Sequence, residues 1–364
     1  MSTVVLSAGG TGGHLFPAQA LATELVRRGR RIVVMTDARA KNYGSAFPGA
    51  EIETVPSASP ANAGLVGKLL VPVEIVRGVV VGLFKLFRLK PDVVVGFGGY
   101  PSLPTMLAAS LARYPTAIHE QNAVLGRVNR LIAKHTSAIA TSFPFMLHAP
   151  RGSSRVVYTG NPVRPEAVTL AHAPYDAPGR EERMRLLIFG GSQGARALSE
   201  LVPPAIALLP NDIRSRLSVV QQCRPEDIDL VRAAYAALDV PAEVAEFFSD
   251  LPKRIADAHL VICRSGASTV SELAVIGRPA ILIPYPFATD DHQTANAEVL
   301  STAGGAWLIQ QRDLTAERLA ELLVETLSSP SKLSTCAAAA AALGKPDAAK
   351  RLADLVELIS GGRS

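Results

Sequence analysis

The sequence predicts an α/β protein built from two doubly wound parallel-sheet domains, and three observations support this prediction. The chain has 364 residues, which is too long for one typical core and suits two domains of about 150 to 200 residues each. Its 48% hydrophobic and 19% charged residues provide enough apolar material for buried sheets. Each half opens as a strand, a glycine turn and a helix, and then alternates short Val/Ile runs with helix-length segments, which is typical of parallel sheets covered on both faces.

In the first half, the strand pattern VVLSA is followed by the glycine turn GGTGGH (residues 9–14), a helical stretch to Arg28 and the strand pattern RIVVMTD. Further strands are predicted at DVVVGFGG, TAIHEQN, AIATSF and RVVYTG. The second half repeats the opening with RLLIF, the turn GGSQGAR (residues 190–196), a helix to Leu209 and LSVVQQ, and continues with LVICRSG and PAILIPY. Because ligands bind at the carboxyl ends of the strands in such sheets, both domains are expected to present their glycine turns to one cleft.

The domain boundary is predicted within residues 161–183, where Pro and polar residues concentrate. Near the end, the alanine run 337–342 and the amphipathic stretch 348–359 each predict a helix.

Composition excludes several classes of protein. The three cysteines lie far apart without C-x-x-C spacing, so we expect neither a disulfide framework nor a zinc site, and a reducing cytoplasm fits best. The chain starts on a strand pattern with no basic n-region, so we expect no signal peptide. The net charge of +5 is a mild excess without Lys/Arg runs. It suits an anionic small substrate or an anionic membrane face rather than a nucleic acid.

Residues 65–89 form the longest apolar region, but Pro72, Glu74, Arg77 and Lys85 interrupt it. No run reaches the roughly 18 to 20 apolar residues that a spanning helix needs. Arg77, Val81, Lys85 and Arg88 fall at helical spacing, and Val80, Leu83, Phe84 and Phe87 lie elsewhere on the helical wheel. This is the pattern of a helix lying on an anionic bilayer surface. A core-packed helix with its basic side in water is the alternative interpretation.

Residues 264–298 carry the most specific chemical pattern. Small residues and hydroxyls from Ser265 to Thr269 lie where a strand turns into a helix, and Glu272 follows one turn later. The first-turn amides of a helix are unpaired and carry the positive end of its dipole, so they suit a diphosphate. Glu272 is placed to accept hydrogen bonds from a ribose diol, which together predicts a nucleotide-sugar site. An ordinary capped helix is the alternative.

The turn GGTGGH lets backbone approach a ligand closely. Taken alone, it also fits a dinucleotide turn with Asp37 as the ribose carboxylate, although its spacing is not G-x-G-x-x-G. His14 ends the turn and is either a general base or acceptor-orienting group, or a structural histidine.

Three further motifs are expected to bring polar groups to the same place. GGYPSLP (residues 98–104) supplies bare backbone. In HEQN (residues 119–122), His119 and Glu120 are either an acid/base pair or, as we favour for Glu120, part of a hydrogen-bonded loop, and Asn122 is a candidate donor to a sugar hydroxyl. In TGNPVR (residues 159–164), Arg164 is a candidate contact for a phosphate or base.

The second glycine turn places Ser192 at a predicted helix start, again a diphosphate cradle. Neither turn has a Walker A lysine, which argues against a P-loop nucleotidase. The pairs Asp227/Asp229 and Asp290/Asp291 do not form a persuasive metal site, and we expect no catalytic metal.

Together these motifs, with RSGASTVSEL and ATDDHQTANA, resemble the MurG family of peptidoglycan N-acetylglucosaminyltransferases, in order and over nearly the whole chain. That family moves N-acetylglucosamine (GlcNAc) from UDP-GlcNAc to lipid I, making lipid II for cell-wall biogenesis. The resemblance implies a GT-B fold, in which two Rossmann-like domains face a central cleft. It assigns 1–163 to an acceptor and membrane-side domain, 164–344 to a UDP-GlcNAc-binding domain, and 345–364 to a helix returning to the first domain.

The resemblance also implies roles for individual residues. His14 matches the position nearest the reacting hydroxyl, where it is the candidate catalytic base. Positions that match substrate contacts are Thr11, Gly12 and Gly13 beside the donor sugar and diphosphate, Asn122 on the donor sugar, Arg164 in the linker, Ser192 on the diphosphate, Phe248 at uracil, the uracil and phosphate loop Ala267, Ser268, Thr269, Val270, Ser271 and Glu272, with Glu272 on the ribose, and Gln293 on GlcNAc. Ser268 stands where some members are expected to have Leu. No metal or cofactor is implied.

As a member of this family the protein is expected at the cytoplasmic face of the inner membrane, held peripherally by residues 65–89. Its expected partners are UDP-GlcNAc, lipid I and an anionic membrane surface, with membrane-bound cell-wall enzymes as candidates. A GT-B enzyme with a soluble acceptor and a nucleotide-sugar epimerase are the nearest alternatives, and dependence of UDP release on acceptor separates them. A noncatalytic binding or scaffold protein would tolerate loss of His14 and Glu272, and an NAD enzyme would bind NAD in preference to UDP-GlcNAc.

Overall fold

The computed structural model describes residues 2–9, 12–37, 47–58, 65–150, 155–171, 173–179, 181–191 and 195–361. Thr11 and Ser192, both expected to contact substrate, lie outside these residues. The chain divides into two compact units. Unit 1 comprises Met1–Arg164 and Lys345–Ser364, and unit 2 comprises Pro165–Gly344.

Unit 1 is built on a parallel sheet of seven strands. The strands are β1 (Thr3–Ser7), β2 (Arg31–Thr36), β3 (Glu51–Thr54), β4 (Val93–Gly96), β5 (Thr116–Glu120), β6 (Ala138–Thr141) and β7 (Arg155–Tyr158). Their order is β3-β2-β1-β4-β5-β6-β7. The chain therefore reverses its direction of growth between β1 and β4, and this is the switch point at which open α/β sheets bind ligands.

Helices cover both faces of this sheet. They are α1 (Gly12–Arg27), α2 (Leu65–Leu89), α3 (Leu103–Leu111) and α4 (Arg127–Ile132). Successive strand residues alternate between two core clusters, with Val4 and Leu6 in one and Val5 in the other. This alternation explains why the strands read as continuous apolar runs.

The start of α1 differs from the sequence-based expectation. The helix begins at Gly12, inside the glycine turn, so His14 lies in its first turn and Pro17 in its second. Glycine has no side chain that marks a helix boundary, and the pattern GGTGGH therefore did not locate the start.

Unit 2 repeats the architecture with six parallel strands. They are β8 (Met184–Phe189), β9 (Leu217–Gln222), β10 (Ala242–Ala245), β11 (Leu260–Cys263), β12 (Ala280–Leu282) and β13 (Ala306–Leu308). Their order is β10-β9-β8-β11-β12-β13, which places the switch point between β8 and β11.

The helices of unit 2 connect these strands and pack on the sheet. They are α5 (Pro165–Thr169), α6 (Arg196–Ala207), α7 (Asn211–Arg214), α8 (Ile228–Ala237), α9 (Leu251–Asp257), α10 (Ala267–Ile276), α11 (His292–Thr302), α12 (Ala316–Leu327) and α13 (Pro330–Ala342). Cys223, Cys263 and Cys336 are free and buried, and burial raises the pKa of each thiol.

The last helix, α14 (Ala348–Ser360), packs against α1 in unit 1. Its Leu352 and Val356 are fully buried in the core beneath α1. Arg28, directly after α1, donates hydrogen bonds to Asp354 at 2.6 Å and to Glu357 at 2.8 Å. Apolar burial and these charge-assisted bonds together dock α14 onto α1.

The fold class predicted from sequence is confirmed: two doubly wound parallel sheets of the GT-B type. Three strands were missed, namely β3, β10 and β13, and all three lie at sheet edges. Most of the residues of β3 and β10 are partly or fully exposed. An edge strand that is open to solvent on one side does not need the Val/Ile run that revealed the central strands.

Helix α2 presents an apolar stripe to solvent. Val73, Val76, Val80, Phe84 and Phe87 are each more than 60% exposed and recur at intervals of three and four residues. The opposite side packs on α3 and buries Leu86 completely.

One face of α2 is thus packed in the core, as the alternative interpretation has it, and the solvent side carries the apolar stripe together with Arg77 and Arg88, whose side chains are 67% and 68% exposed. Lys85 and Arg88 both pair with Glu53 of β3, and the remaining arginine, Arg77, pairs with Glu74. None of the helices in the described residues combines the length and hydropathy that a membrane span requires.

Candidate functional site

Three loops of unit 1 meet at the carboxyl ends of neighbouring strands. Gly9 follows β1, Gly98 and Gly99 follow β4, and the residues from Gln121 to Gly126 follow β5. Because β4 lies between β1 and β5 in the sheet, these loops are adjacent at the switch point.

A chain of hydrogen bonds links His14 to the interior of unit 1. His14 Nδ1 lies 2.9 Å from Gln121 Oε1, Gln121 Nε2 lies 3.0 Å from His119 Nδ1, and His119 Nε2 lies 3.2 Å from the Gly160 carbonyl. His119 is fully buried, and burial lowers its pKa to about 4 from an ordinary 6.5. His119 is therefore neutral at neutral pH, and its ring bonds to Gln121 and Gly160 rather than to Glu120.

Bare backbone lies against the ring of His14. Gly99 has a φ of +73°, and a Cβ placed on it would come within 3.3 Å of His14 Cδ2 and 3.4 Å of His14 Nε2. Glycine is required here both for its left-handed conformation and because a side chain would crowd the imidazole. The sequence suggested bare backbone in this motif but did not connect it with His14.

Glu120 organises the loop that carries Gln121 and Asn122. It is 2% exposed and accepts hydrogen bonds from the Asn122 amide at 3.0 Å, the Gly126 amide at 2.8 Å and Asn129 Nδ2 at 2.8 Å. It also accepts from Asn122 Nδ2 at 3.3 Å. These contacts support the interpretation of Glu120 as part of a hydrogen-bonded loop rather than an acid/base partner of His119.

The other expected contacts in unit 1 lie near the start of α1. Gly12 and Gly13 form its first turn together with His14, and Gly13 is exposed. Arg164 lies with its guanidinium carbon 5.8 Å from the centre of the Phe16 ring, a cation–π distance.

In unit 2, the strand-to-helix turn after β11 has the geometry of an anion site. Gly266 is the N-cap of α10 with extended backbone (φ −60°, ψ 147°), and no side chain caps the first turn. The first-turn amides, including those of Ala267, Ser268 and Thr269, therefore carry the positive end of the helix dipole without a side-chain partner. The Ser268 hydroxyl is buried and has no hydrogen-bond partner within the described residues.

Glu272 lies one turn after Ser268 on the same side of α10, since residues four apart are neighbours on a helix. It is 3% exposed. Val270 and Ser271 are also buried. A buried carboxylate and a buried hydroxyl thus stand beside the uncapped helix start.

The loop from Tyr285 to Gln293 is tied to this turn. Ser265 Oγ donates to the Gln293 carbonyl at 2.7 Å, and Asn296 Nδ2 donates to the Ser265 carbonyl at 3.1 Å. Gln293 Oε1 accepts from the Tyr285 amide at 2.9 Å. Gln293 is therefore held beside the start of α10, as its expected role as a sugar contact requires.

Phe248 lies farther along the sheet. It follows β10, which is separated from β11 by β9 and β8, and it is 6% exposed beneath Arg254, whose guanidinium carbon is 4.1 Å from the ring centre. A buried ring leaves only the backbone at this position for contact with a ligand.

Sequence reasoning missed four residues that shape the two sites: Gln121, Gly99, Arg264 and Asn296. Arg264 donates to the Pro284 carbonyl at 3.0 Å and to Gln311 Oε1 at 2.6 Å, which braces the loop before Tyr285. All four lie within the quoted motifs, but only their contacts show what they do. The described residues contain no group of three or more His, Cys, Asp or Glu side chains placed to hold a metal ion.

Comparison with known proteins gives consistent results. Residues 4–141 match the glycosyltransferase family 28 N-terminal domain, and residues 185–352 match the glycosyltransferase family 28 C-terminal domain. A relative from Rhodospirillum centenum is 52% identical over 357 residues, covering 98% of this chain and 94% of the relative. A relative from Chelativorans is 51% identical and covers 100% of this chain and 96% of the relative. Both are named UDP-N-acetylglucosamine--N-acetylmuramyl-(pentapeptide) pyrophosphoryl-undecaprenol N-acetylglucosamine transferase.

Among solved structures, Acinetobacter baumannii MurG is similar at a TM-score of 0.81 and 33% identity, covering 98% of this chain and all of that one. A UDP-GlcNAc 2-epimerase from Neisseria meningitidis is similar at a TM-score of 0.69 and 13% identity, covering 98% of this chain and 100% of that one. At that identity the likeness to the epimerase shows the fold alone.

Proposed function

The chain belongs to glycosyltransferase family 28, and on that premise we propose that it transfers GlcNAc from UDP-GlcNAc to the 4-hydroxyl of MurNAc in lipid I, forming lipid II for peptidoglycan synthesis. The observation that carries the proposal is the identity of about half of its residues, over nearly its full length, with transferases of that name. The sites in the two units have the chemistry that this reaction needs.

We assign the donor to unit 2. The uncapped amides at the start of α10 suit the diphosphate, and the buried Glu272 suits the ribose hydroxyls. As UDP departs, negative charge grows on its diphosphate, and amides already oriented toward that charge stabilise it without reorganising. Removing one such donor typically slows an enzyme by about a hundredfold or more.

We assign the acceptor side and the base to unit 1. The reaction is an inverting displacement, in which the 4-hydroxyl oxygen attacks the anomeric carbon, the bond from that carbon to the diphosphate oxygen breaks, and UDP leaves with the bonding electrons. His14 takes the hydroxyl proton. A positioned base of this kind contributes roughly a hundred- to ten-thousandfold in rate.

The remaining assignments follow the family resemblance. Gly12, Gly13 and Asn122 contact the donor sugar and diphosphate from unit 1, and Gln293 contacts GlcNAc. Arg164, the loop Ala267 to Glu272 and the backbone of Phe248 complete the substrate contacts, and Thr11 and Ser192 keep their expected roles although they lie outside the described residues.

The acceptor is attached to a lipid, so the protein has to work at a membrane surface. We propose that the apolar stripe of α2 lies in the interface of an anionic bilayer at the cytoplasmic face of the inner membrane. Five large side chains exposed on one helix face provide the apolar contact, and Arg77, which is 67% exposed, adds positive charge beside them.

Transfer of label from radiolabelled UDP-GlcNAc tests the function. The purified protein is incubated with and without a lipid I analogue, and both labelled lipid and released UDP are measured. Label in the lipid, with UDP release that depends on the acceptor, is the expected result. UDP release without labelled lipid would instead indicate an epimerase or hydrolase, and no turnover would indicate a binding protein.

Two variants separate the roles of the units. His14→Ala is expected to lower kcat with little change in the KM for UDP-GlcNAc, because the base acts on the acceptor. Glu272→Gln is expected to raise the KM for UDP-GlcNAc. Normal turnover of His14→Ala would remove His14 as the base.

A further inference from the structure

We propose that Gln121 is a positioning residue for the reaction: together with His119 it holds neutral His14 in the tautomer that carries its proton on Nδ1 and leaves Nε2 free to accept the proton of the acceptor hydroxyl. The inference rests on the proposed function, in which His14 is the base. It concerns the hydrogen-bond chain from His14 to Gly160, whose inner members the sequence did not single out.

Two backbone carbonyls fix the direction of every bond in this chain. The Gly160 carbonyl can only accept, so His119 Nε2, 3.2 Å away, carries the proton. His119 is buried and neutral, and its Nδ1 is therefore a lone pair that accepts from Gln121 Nε2 at 3.0 Å. Gln121 Nε2 also lies 3.0 Å from the His119 carbonyl, which again can only accept. The NH2 group of the Gln121 amide thus points inward at both partners.

The orientation of Gln121 then decides the tautomer of His14. With its NH2 group turned inward, Gln121 presents Oε1 to His14 Nδ1 at 2.9 Å. A carbonyl oxygen has no proton to give, so Nδ1 must be the donor. In neutral imidazole the other nitrogen then has the lone pair. The opposite tautomer would set the Nδ1 lone pair against an oxygen lone pair.

Burial makes this selection firm. Gln121 is 2% exposed and His119 is fully buried, so water does not compete for their polar atoms, and an unpaired polar atom there is costly. Rotating the Gln121 amide would lose two bonds to fixed acceptors. On the other edge of the ring, the absence of a side chain at Gly99 leaves room beside Cδ2 and Nε2.

The tautomer of His14 can be measured directly. In protein labelled with 15N-histidine, long-range 1H–15N NMR spectra distinguish the two tautomers, and the His14→Gln variant identifies the signal of His14. We expect the Nδ1–H tautomer in the wild type. In Gln121→Met, which keeps the side-chain length but cannot accept in this way, the Nε2–H tautomer that predominates in free imidazole should become the major form.

Kinetics give the second readout. Gln121→Met should lower kcat by about ten- to a thousandfold, part of the contribution of a general base, with the KM for UDP-GlcNAc unchanged. Gln121→Glu keeps an oxygen that accepts from His14 Nδ1 but cannot donate to His119, so it should keep the Nδ1–H tautomer while losing part of the activity. UDP-GlcNAc binding and the circular dichroism of both variants verify that they fold.

Either readout can overturn the inference. An Nε2–H tautomer in the wild type, an unchanged tautomer in Gln121→Met, or an unchanged kcat in Gln121→Met would each do so. The NMR measurement uses the free protein and does not depend on turnover. If the wild type failed to transfer GlcNAc, the proposed function would fall while the tautomer assignment would still be decided.

Discussion

Replacing Glu120 with Gln tests whether a single buried carboxylate holds the loop that carries Gln121 and Asn122. The two side chains have nearly the same shape, so the change alters hydrogen bonding and charge rather than packing. One carboxylate oxygen accepts from Asn122, and the other accepts from Gly126 and Asn129. Whichever oxygen becomes NH2, one backbone amide faces a donor instead of an acceptor.

The size of the effect follows from these contacts. A hydrogen bond to a charged group contributes about 1.5 to 3 kcal/mol, and a buried donor left without an acceptor adds a penalty. The Gly126 and Asn122 amides are backbone groups and cannot rotate to find another partner. We therefore expect the loop to open more easily by about 3 kcal/mol, which corresponds to roughly a hundredfold faster amide exchange.

Hydrogen exchange followed by mass spectrometry measures this opening in a peptide covering residues 116–132. A peptide from α10 in the same sample is the internal reference, and Glu226→Gln, at a side chain 60% exposed, is the control for the substitution itself. The kcat of Glu120→Gln should fall as well, because the loop positions Gln121. Unchanged exchange in residues 121–126 would refute the assignment of Glu120 as the residue that holds the loop.

Three other predictions concern pH, backbone strain and membrane binding. Burial lowers the pKa of His119 to about 4, so the unfolded chain takes up a proton near pH 6.5 and the native state does not. The contribution of His119 to the free energy of unfolding is therefore complete above pH 6.5 and falls by about 2 kcal/mol between pH 7 and pH 5. Urea unfolding of the wild type and of His119→Asn at several pH values should show this difference. Gly277→Ala should destabilise unit 2 by about 2 kcal/mol, because Gly277 has φ +73° and a new Cβ would lie 3.0 Å from a neighbouring Cβ. Gly304 also has a positive φ, but a new Cβ there would make only an ordinary contact. Gly304→Ala should therefore lower the free energy of unfolding by about 1 kcal/mol in the same denaturation assay. Replacing Phe84 and Phe87 together with Ser should weaken pelleting with phosphatidylcholine vesicles containing phosphatidylglycerol by at least about tenfold, since burying one large apolar side chain contributes about 1.5 to 3 kcal/mol.

Each of these has an outcome that contradicts it. A stability of His119→Asn that depends on pH as steeply as the wild type would mean that His119 is not the group that titrates. Equal losses at the two glycines would show that the close contact at Gly277 adds nothing. For the vesicles, Leu230→Ser removes a side chain 71% exposed in unit 2, and a loss of binding as large as that of the Phe variant would contradict a specific role for α2.

The central strands and the strand ends could be predicted from the sequence because buried parallel strands need continuous apolar runs. Runs such as Val93 to Val95 have to be apolar on both faces, and glycines follow where the backbone turns. The edge strands β3 and β10 lack such a run, since solvent reaches them, and β13 is only three residues long. The start of α1 was missed because glycine fits a helix and a turn alike.

Contacts between distant residues could not be predicted. Lys85 and Arg88 were read as part of a basic face for a membrane, and the sequence did not show that Glu53, more than thirty residues earlier, pairs with both. Gln121 was visible in the motif HEQN as a polar residue in a loop. Its link to His14 spans 107 positions and depends on the strand order, which no local pattern specifies.

The docking of α14 onto α1 imposes an order on folding during translation. The ribosome makes all of unit 2 before it makes Leu352 and Val356, so the first domain to emerge is the last to be completed. Until then the apolar side of α1 beneath α14 lacks its cover, and a nascent chain halted near residue 344 exposes that surface. Chaperone binding to stalled chains should therefore persist on unit 1 until synthesis has passed α14, while unit 2 folds as a contiguous segment.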